Sequence, residues 1–162
     1  MAGTQEQTTT VEYVPPCGVD DPRIRTFGLL LEAYSQLTRQ LDADLQASDG
    51  ISLQTFEVLL RISRSPMGHI TMSELAEGVS LTTGGVTRLA DRLEKDGLVE
   101  RRSCPTDRRV VHLGLTTQGT DTLAAALGHH LESLEQRVAS RISAEDTEVL
   151  ERVLDELRRP TD

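Results

Sequence analysis

The chain has 162 residues, 37% of them hydrophobic and 27% charged, enough for one soluble globular domain with its own core. Aromatic residues make up only 2% and there is no Trp, so the core is expected to be aliphatic and built from packed helices. The formal net charge of −9 argues against a uniformly basic nucleic-acid binder, although the distribution of charge decides this rather than the sum.

The first basic residue is Arg23, and the apolar run Phe27 to Leu31 is far too short for a bilayer span. The expectation is a cytoplasmic protein with no membrane partner. Residues 1–21 are polar, contain Pro15-Pro16 and show no periodicity, and are expected to form a flexible arm. Residues 22–162 are expected to form a single domain. Pro22 suits the first position of a helix, and Ile24, Phe27, Leu30, Tyr34, Leu37, Leu41 and Leu45 then recur at steps of three and four. This first helix is expected over about residues 22–48, ending near Ser48-Asp49-Gly50.

Ser52 is a good N-cap for a second helix with Leu53, Phe56, Leu59 and Leu60 inward, and Ser65-Pro66-Met67-Gly68 breaks it. Thr71-Met72-Ser73-Glu74 reads as a capping box opening a short third helix, with Met72, Leu75, Ala76 and Val79 inward. After a tight turn at Ser80-Leu81-Thr82, a fourth helix is expected from Thr83 to Lys95, burying Val86, Leu89, Ala90 and Leu93. Gly97 is suited to a left-handed cap behind it. Two β-prone runs, Val99 to Ser103 and Val110 to Leu115, are joined by Pro105-Thr106-Asp107 as a hairpin. A long helix follows from about Gly119, with Leu123, Leu127, Leu131, Leu134, Val138 and Ile142 on one stripe. Ser143-Ala144-Glu145-Asp146 restarts the chain as a last helix carrying Val149, Leu150, Val153, Leu154 and Leu157. The fold class is therefore mainly α with a small β-hairpin wing.

Two short helices joined by a tight turn and followed by a basic hairpin give the order of a winged helix-turn-helix, here over about residues 52–116. Between Thr82 and His112 lie seven basic residues (Arg88, Arg92, Lys95, Arg101, Arg102, Arg108, Arg109) and five acidic ones (Asp91, Glu94, Asp96, Glu100, Asp107). The segment nets +2, so the remainder of the chain carries −11. The fourth helix would lie in a major groove with Thr83, Thr87, Arg88, Asp91 and Arg92 on its outer side and Thr82 just before it. All but the acidic Asp91 are expected at the DNA, since Thr meets a thymine methyl or a phosphate and Arg takes guanine edges. Gly84 and Gly85 lower helix propensity but allow close approach to phosphate. Arg108 and Arg109 at the hairpin tip suit a narrow minor groove, and Asp107 can hold one of them by a charge-assisted hydrogen bond. An ordinary solvated helix face and a soluble turn are the alternative readings of the same residues.

The run Asp91-Arg92-Leu93-Glu94-Lys95-Asp96-Gly97-Leu98-Val99-Glu100-Arg101, then Asp107-Arg108-Arg109, then Leu115-Thr116-Thr117-Gln118-Gly119, resembles the signature of the multiple-antibiotic-resistance regulator (MarR) family. The resemblance implies an α-helical homodimer whose first and last helices, about 22–48 and 119–159, entwine. It implies double-stranded DNA as partner, at a palindromic operator, and often release by a small aromatic or phenolic effector. It makes Arg109 the wing arginine and Asp107 its support, and places Thr83, Thr87 and Arg88 on the recognition helix. The family more commonly has Ser or Thr where Gly84 and Gly85 stand, which removes side-chain readout there. For an effector, Tyr34, Leu37 and Phe56 are the expected apolar walls, with plain core filling as the alternative.

No Ser-His-Asp set, metal motif or phosphate loop points to an enzyme, and no cofactor is expected. His129-His130 are read as structural or solvated. The rival readings are a winged-helix protein-interaction module and a thiol-based redox sensor. Cys17 lies in an acidic, proline-bounded arm and Cys104 on the wing without a pocket, so neither is expected to be a switch.

Overall fold

The computed structural model describes residues 16–78, 83–103 and 110–159, without the side chains of 78, 83 and 84. Thr82, Cys104, Asp107, Arg108 and Arg109 thus lie outside the described residues, as do the turn at 80–82 and most of the expected N-terminal arm. The elements run α1 (Pro22–Asp49), α2 (Leu53–Arg64), β1 (His69–Thr71), α3 (Met72–Gly78), α4 (Thr83–Lys95), β2 (Val99–Ser103), β3 (Val111–Leu115), α5 (Thr117–Arg137) and α6 (Ala144–Leu157). The described residues form a mostly helical fold with one small antiparallel sheet. No helix among them is long and apolar enough to cross a membrane.

The chain divides into two units within α1, one ending at Gln36 and the other starting at Leu37. In the first, Asp21 opens α1. Its Oδ1 accepts from the Arg23 main-chain N–H at 2.8 Å and its carboxylate pairs with the Arg23 guanidinium at 2.6 Å. Pro22 then occupies the first helical position, where its missing N–H removes no helical bond. Ile24, Phe27, Leu30 and Tyr34, the leading half of the expected stripe, are exposed.

The second unit holds the core. From the end of α1, Leu45 packs with Phe56, Val58, Leu59 and Ile62 of α2, Leu75 of α3, and Val86, Leu89, Ala90 and Leu93 of α4. Leu98, Val99, Ile70 and Leu113 close it from the sheet, and Leu123 and Ala126 from α5. Helix starts follow local chemistry. Ser52 accepts from the Thr55 N–H at 3.1 Å, and Asp42 accepts from the Leu53 N–H at 2.8 Å. Thr71 and Glu74 form the reciprocal capping box: the Thr71 N–H donates to Glu74 at 2.7 Å and the Glu74 N–H donates to Thr71 Oγ1 at 3.2 Å.

Two features depart from the sequence reading. The sheet has three strands in the order β1-β3-β2, and β1 lies in what was expected to be a connection. Its three residues pair antiparallel with β3, His69 with Gly114, Ile70 with Leu113 and Thr71 with His112. Their register comes from that distant partner, which a three-residue run cannot announce. The fifth helix stops at Arg137, so Val138 and Ile142 fall beyond it, around a 3-10 turn at Ala139–Arg141. Ser143 then caps α6 by accepting from the Asp146 N–H at 3.0 Å.

Candidate nucleic-acid interface

The structure places α4 and the β2–β3 hairpin in one unit, joined by a compact turn. At the end of α4 the Leu98 N–H donates to the Leu93 carbonyl (2.9 Å) and the Gly97 N–H to the Glu94 carbonyl (3.0 Å). With Gly97 at φ +72° this is a Schellman cap. The Thr116 hydroxyl donates to the Gly97 carbonyl at 2.6 Å and accepts from the Gly119 N–H at 2.9 Å. Gln118 Nε2 donates to the Asp96 carbonyl at 3.2 Å, and the Thr116 N–H to the Leu98 carbonyl at 3.2 Å. The separated motifs Asp96-Gly97-Leu98 and Thr116-Thr117-Gln118-Gly119 are thus two halves of one latch, fixing β2, β3 and α5 relative to α4.

On α4 the buried side chains are Val86, Leu89, Ala90 and Leu93. The helical period therefore sends Thr87, Arg88, Asp91, Arg92 and Lys95 outward, and all five are exposed. Gly85 is half-buried. Arg88, Arg92 and Lys95 enter no ion pair among the described residues, which leaves their charge available to a polyanion. Arg101 and Arg102 do not share that freedom. Arg101 binds Asp91 at 2.6 Å and Glu94 at 2.5 Å, and Arg102 pairs with Glu100. β2 and β3 run in register from Val99 with Leu115 to Ser103 with Val111. The expected wing tip lies beyond that pair and outside the described residues.

A groove of about 710 Å³ opens elsewhere in the same unit, with Leu41, Phe56, Leu60, Ile70 and His130 along it and Arg61 and Arg64 at α2's last turn. Of the expected effector walls, Phe56 lines this groove. Leu37 is half-buried and is not among the lining residues, and Tyr34 lies exposed in the first unit. His130, for which the sequence implies only a structural or solvated place, lies in this groove. Its ring packs tilted against Phe56 with centroids 4.4 Å apart, and its Nδ1 is buried without a hydrogen-bond partner among the described residues. His129 instead bonds Asp49 at 3.0 Å.

Burial holds the His130 pKa below its ordinary value near 6.5. The unfolded chain therefore takes up a proton at this residue before the folded one does, and folding loses stability as pH falls through the unfolded value. Between pH 7.5 and 5.5 the urea midpoint should drop more in the parent than in His130→Leu. Equal drops in the two proteins would rule out this residue as a source of acid sensitivity.

Comparisons with known proteins agree with this architecture. Residues 51–111 match the model of the MarR family. The transcriptional repressor MprA of Escherichia coli is 32% identical over 125 residues, which cover 77% of this chain and 70% of the relative. Among solved structures, the MarR-family regulator Sco3205 of Streptomyces coelicolor in complex with DNA aligns with a TM-score of 0.79 and 27% identity, over 91% of this chain and 94% of the other. A mutant of E. coli MarR complexed with operator DNA aligns with a TM-score of 0.76 and 28% identity, over 87% and 99%. With the latch, the outward polar face of α4 and the hairpin all in place, the chain belongs to the MarR family of transcriptional regulators, and regulation rather than enzyme catalysis is its activity.

Proposed function

We propose that this protein is a homodimeric repressor that reads a pseudo-palindromic operator with α4 and the wing, and that a small aromatic or phenolic effector releases it. The observation carrying the DNA reading is the division of α4 into a buried apolar stripe and an exposed face bearing Thr87, Arg88 and Arg92. Two structures solved with DNA share this fold at 27% and 28% identity, and the MprA relative is itself named a repressor. Thr82, Thr83, Gly84 and Gly85 would bring the start of the helix against the backbone, with Asp107, Arg108 and Arg109 in the adjacent minor groove. A protein-interaction module gives no reason for three cations on this one helix face that enter no ion pair among the described residues.

Selection of bound fragments from random DNA should return an inverted repeat whose half-sites lie about one helical turn, on the order of 10 base pairs, apart. Recovery of no shared motif would count against sequence-specific regulation. Arg88→Ala should relax preference at one or two positions per half-site, costing about 1–3 kcal/mol against the best sequence. Arg109→Ala should weaken all sequences alike, because a wing arginine reads groove shape and potential. If both variants bind as the parent does, the assignment of helix and wing is wrong.

For the effector, the groove along Phe56 offers apolar walls and a polar edge with both Arg61 and Arg64 and Glu57 and Glu74, which suits an aromatic ring whose hydroxyl or acidic group meets an arginine there. Of the three expected walls, Phe56 is the one on which this proposal rests. Salicylate as probe should raise the thermal midpoint and weaken operator binding in the parent, and do neither in Phe56→Ala.

A further inference from the structure

Arg101 lies in the stretch that a charge count assigns to DNA, and its side chain is the least exposed of the paired cations there, 28% against 64% for Arg102. Both of its terminal guanidinium nitrogens are engaged: Nη2 donates to Asp91 and Nη1 to Glu94. The hydrogen bond to Asp91, reinforced by Glu94, pushes the Arg101 pKa above its ordinary range. Asp91 and Glu94 belong to α4, and Asp91 shares its outer face with Arg88, Arg92 and Lys95. A bare carboxylate in the middle of that face would repel phosphate and draw Arg88 or Arg92 towards itself. Arg101, reaching across from β2, removes that possibility and ties the wing strand to the helix.

We infer that Arg101 is a positioning residue of the DNA-reading surface: it acts through Asp91 and Glu94, neutralising them and fixing α4 against β2, and does not itself touch DNA. The inference rests on the DNA-binding reading above and adds a division of labour among its basic residues. Counterion release makes that division measurable, because only a residue bound to phosphate contributes to the slope of log affinity against log salt.

The experiment compares the parent, Arg101→Gln, the pair Asp91→Asn with Glu94→Gln, and the triple variant, on one selected operator over a series of salt concentrations. Melting curves of each confirm the fold, which loss of a surface ion pair should barely disturb. Arg101→Gln alone should weaken binding by about tenfold, a coupling typical of contacting charged groups. Added to the double variant, the same substitution should change affinity less than about twofold and leave the salt slope unaltered. An equal loss in both backgrounds, with the slope falling by about 0.9 on going from double to triple variant, overturns the inference by making Arg101 a phosphate contact. Unchanged binding by Arg101→Gln alone also overturns it. A parent that fails to bind any selected DNA refutes the DNA-binding reading itself, and that result is read from the parent before any variant is considered.

Discussion

Gly119→Ala should lower the unfolding free energy by roughly 3 kcal/mol, at the upper end of what overpacking costs. Gly119 is the third residue of α5, a position where alanine normally gains about 1 kcal/mol of helix propensity over glycine. Here the added Cβ would sit 1.9 Å from the carbonyl oxygen of Leu98 and 2.9 Å from its carbonyl carbon. The obstacle is backbone, so no rotamer change relieves it. Relief requires moving Leu98, whose carbonyl accepts the Thr116 N–H and whose side chain is buried, or tilting α5 away from the latch. Either movement breaks the Thr116 hydroxyl bonds to Gly97 and Gly119. In the same helix a Cβ at Gly128 meets nothing, so alanine there tests the propensity alone. Urea unfolding of the two variants beside the parent separates these effects. A Gly119→Ala protein as stable as the parent would show that the latch yields cheaply and does not fix α5.

Elements whose cause is local were legible in the sequence. The Thr71–Glu74 capping box, the Ser52 cap, the restart at Ser143 and the left-handed Gly97 each announce themselves within a few residues, and the structure has each where the sequence put it. The bounds of α4 follow from such signals, as do its four buried residues. What failed to show was set by distant partners. β1 exists because β3 pairs with it, and Gly119 is only a letter until Leu98 is folded against it. Arg101 counts as one positive charge in any sum, yet its partners lie seven and ten residues back across a turn. The stripe from Leu123 to Ile142 kept helical spacing past Arg137, because periodicity records which side chains share a face and not where the backbone turns. His130 gave no signal beyond its helix, and its place in the groove comes from the packing of α5 on α2.

Leu131→Glu combined with Leu154→Glu should convert the protein to a monomer and weaken operator binding by about 100-fold or more, the range that loss of a second linked site spans. In the second unit, Leu127 and Leu131 of α5 and Val149, Leu150, Val153, Leu154 and Leu157 of α6 are all exposed, between 37% and 65%. The α6 residues recur at steps of one, three, one and three, so they form a single stripe, as buried helix faces do. Apolar patches of this extent mark interfaces. A second copy is the occupant that fits the proposed palindromic site, since a two-fold axis would present the same stripe from both subunits and set two α4 helices on successive grooves. In such a dimer the symmetry would also amplify the substitution, because each glutamate would enter the interface twice and a carboxylate buried without a partner is strongly unfavourable. Leu131 is 56% and Leu154 41% exposed within one chain, so the isolated fold should tolerate both changes. Sedimentation equilibrium at micromolar protein distinguishes monomer from dimer, and titration of the selected operator with the same sample gives the affinity. A variant that stays dimeric would move the interface away from α5 and α6. A monomer that keeps the parent's affinity would mean that one subunit suffices to hold the operator.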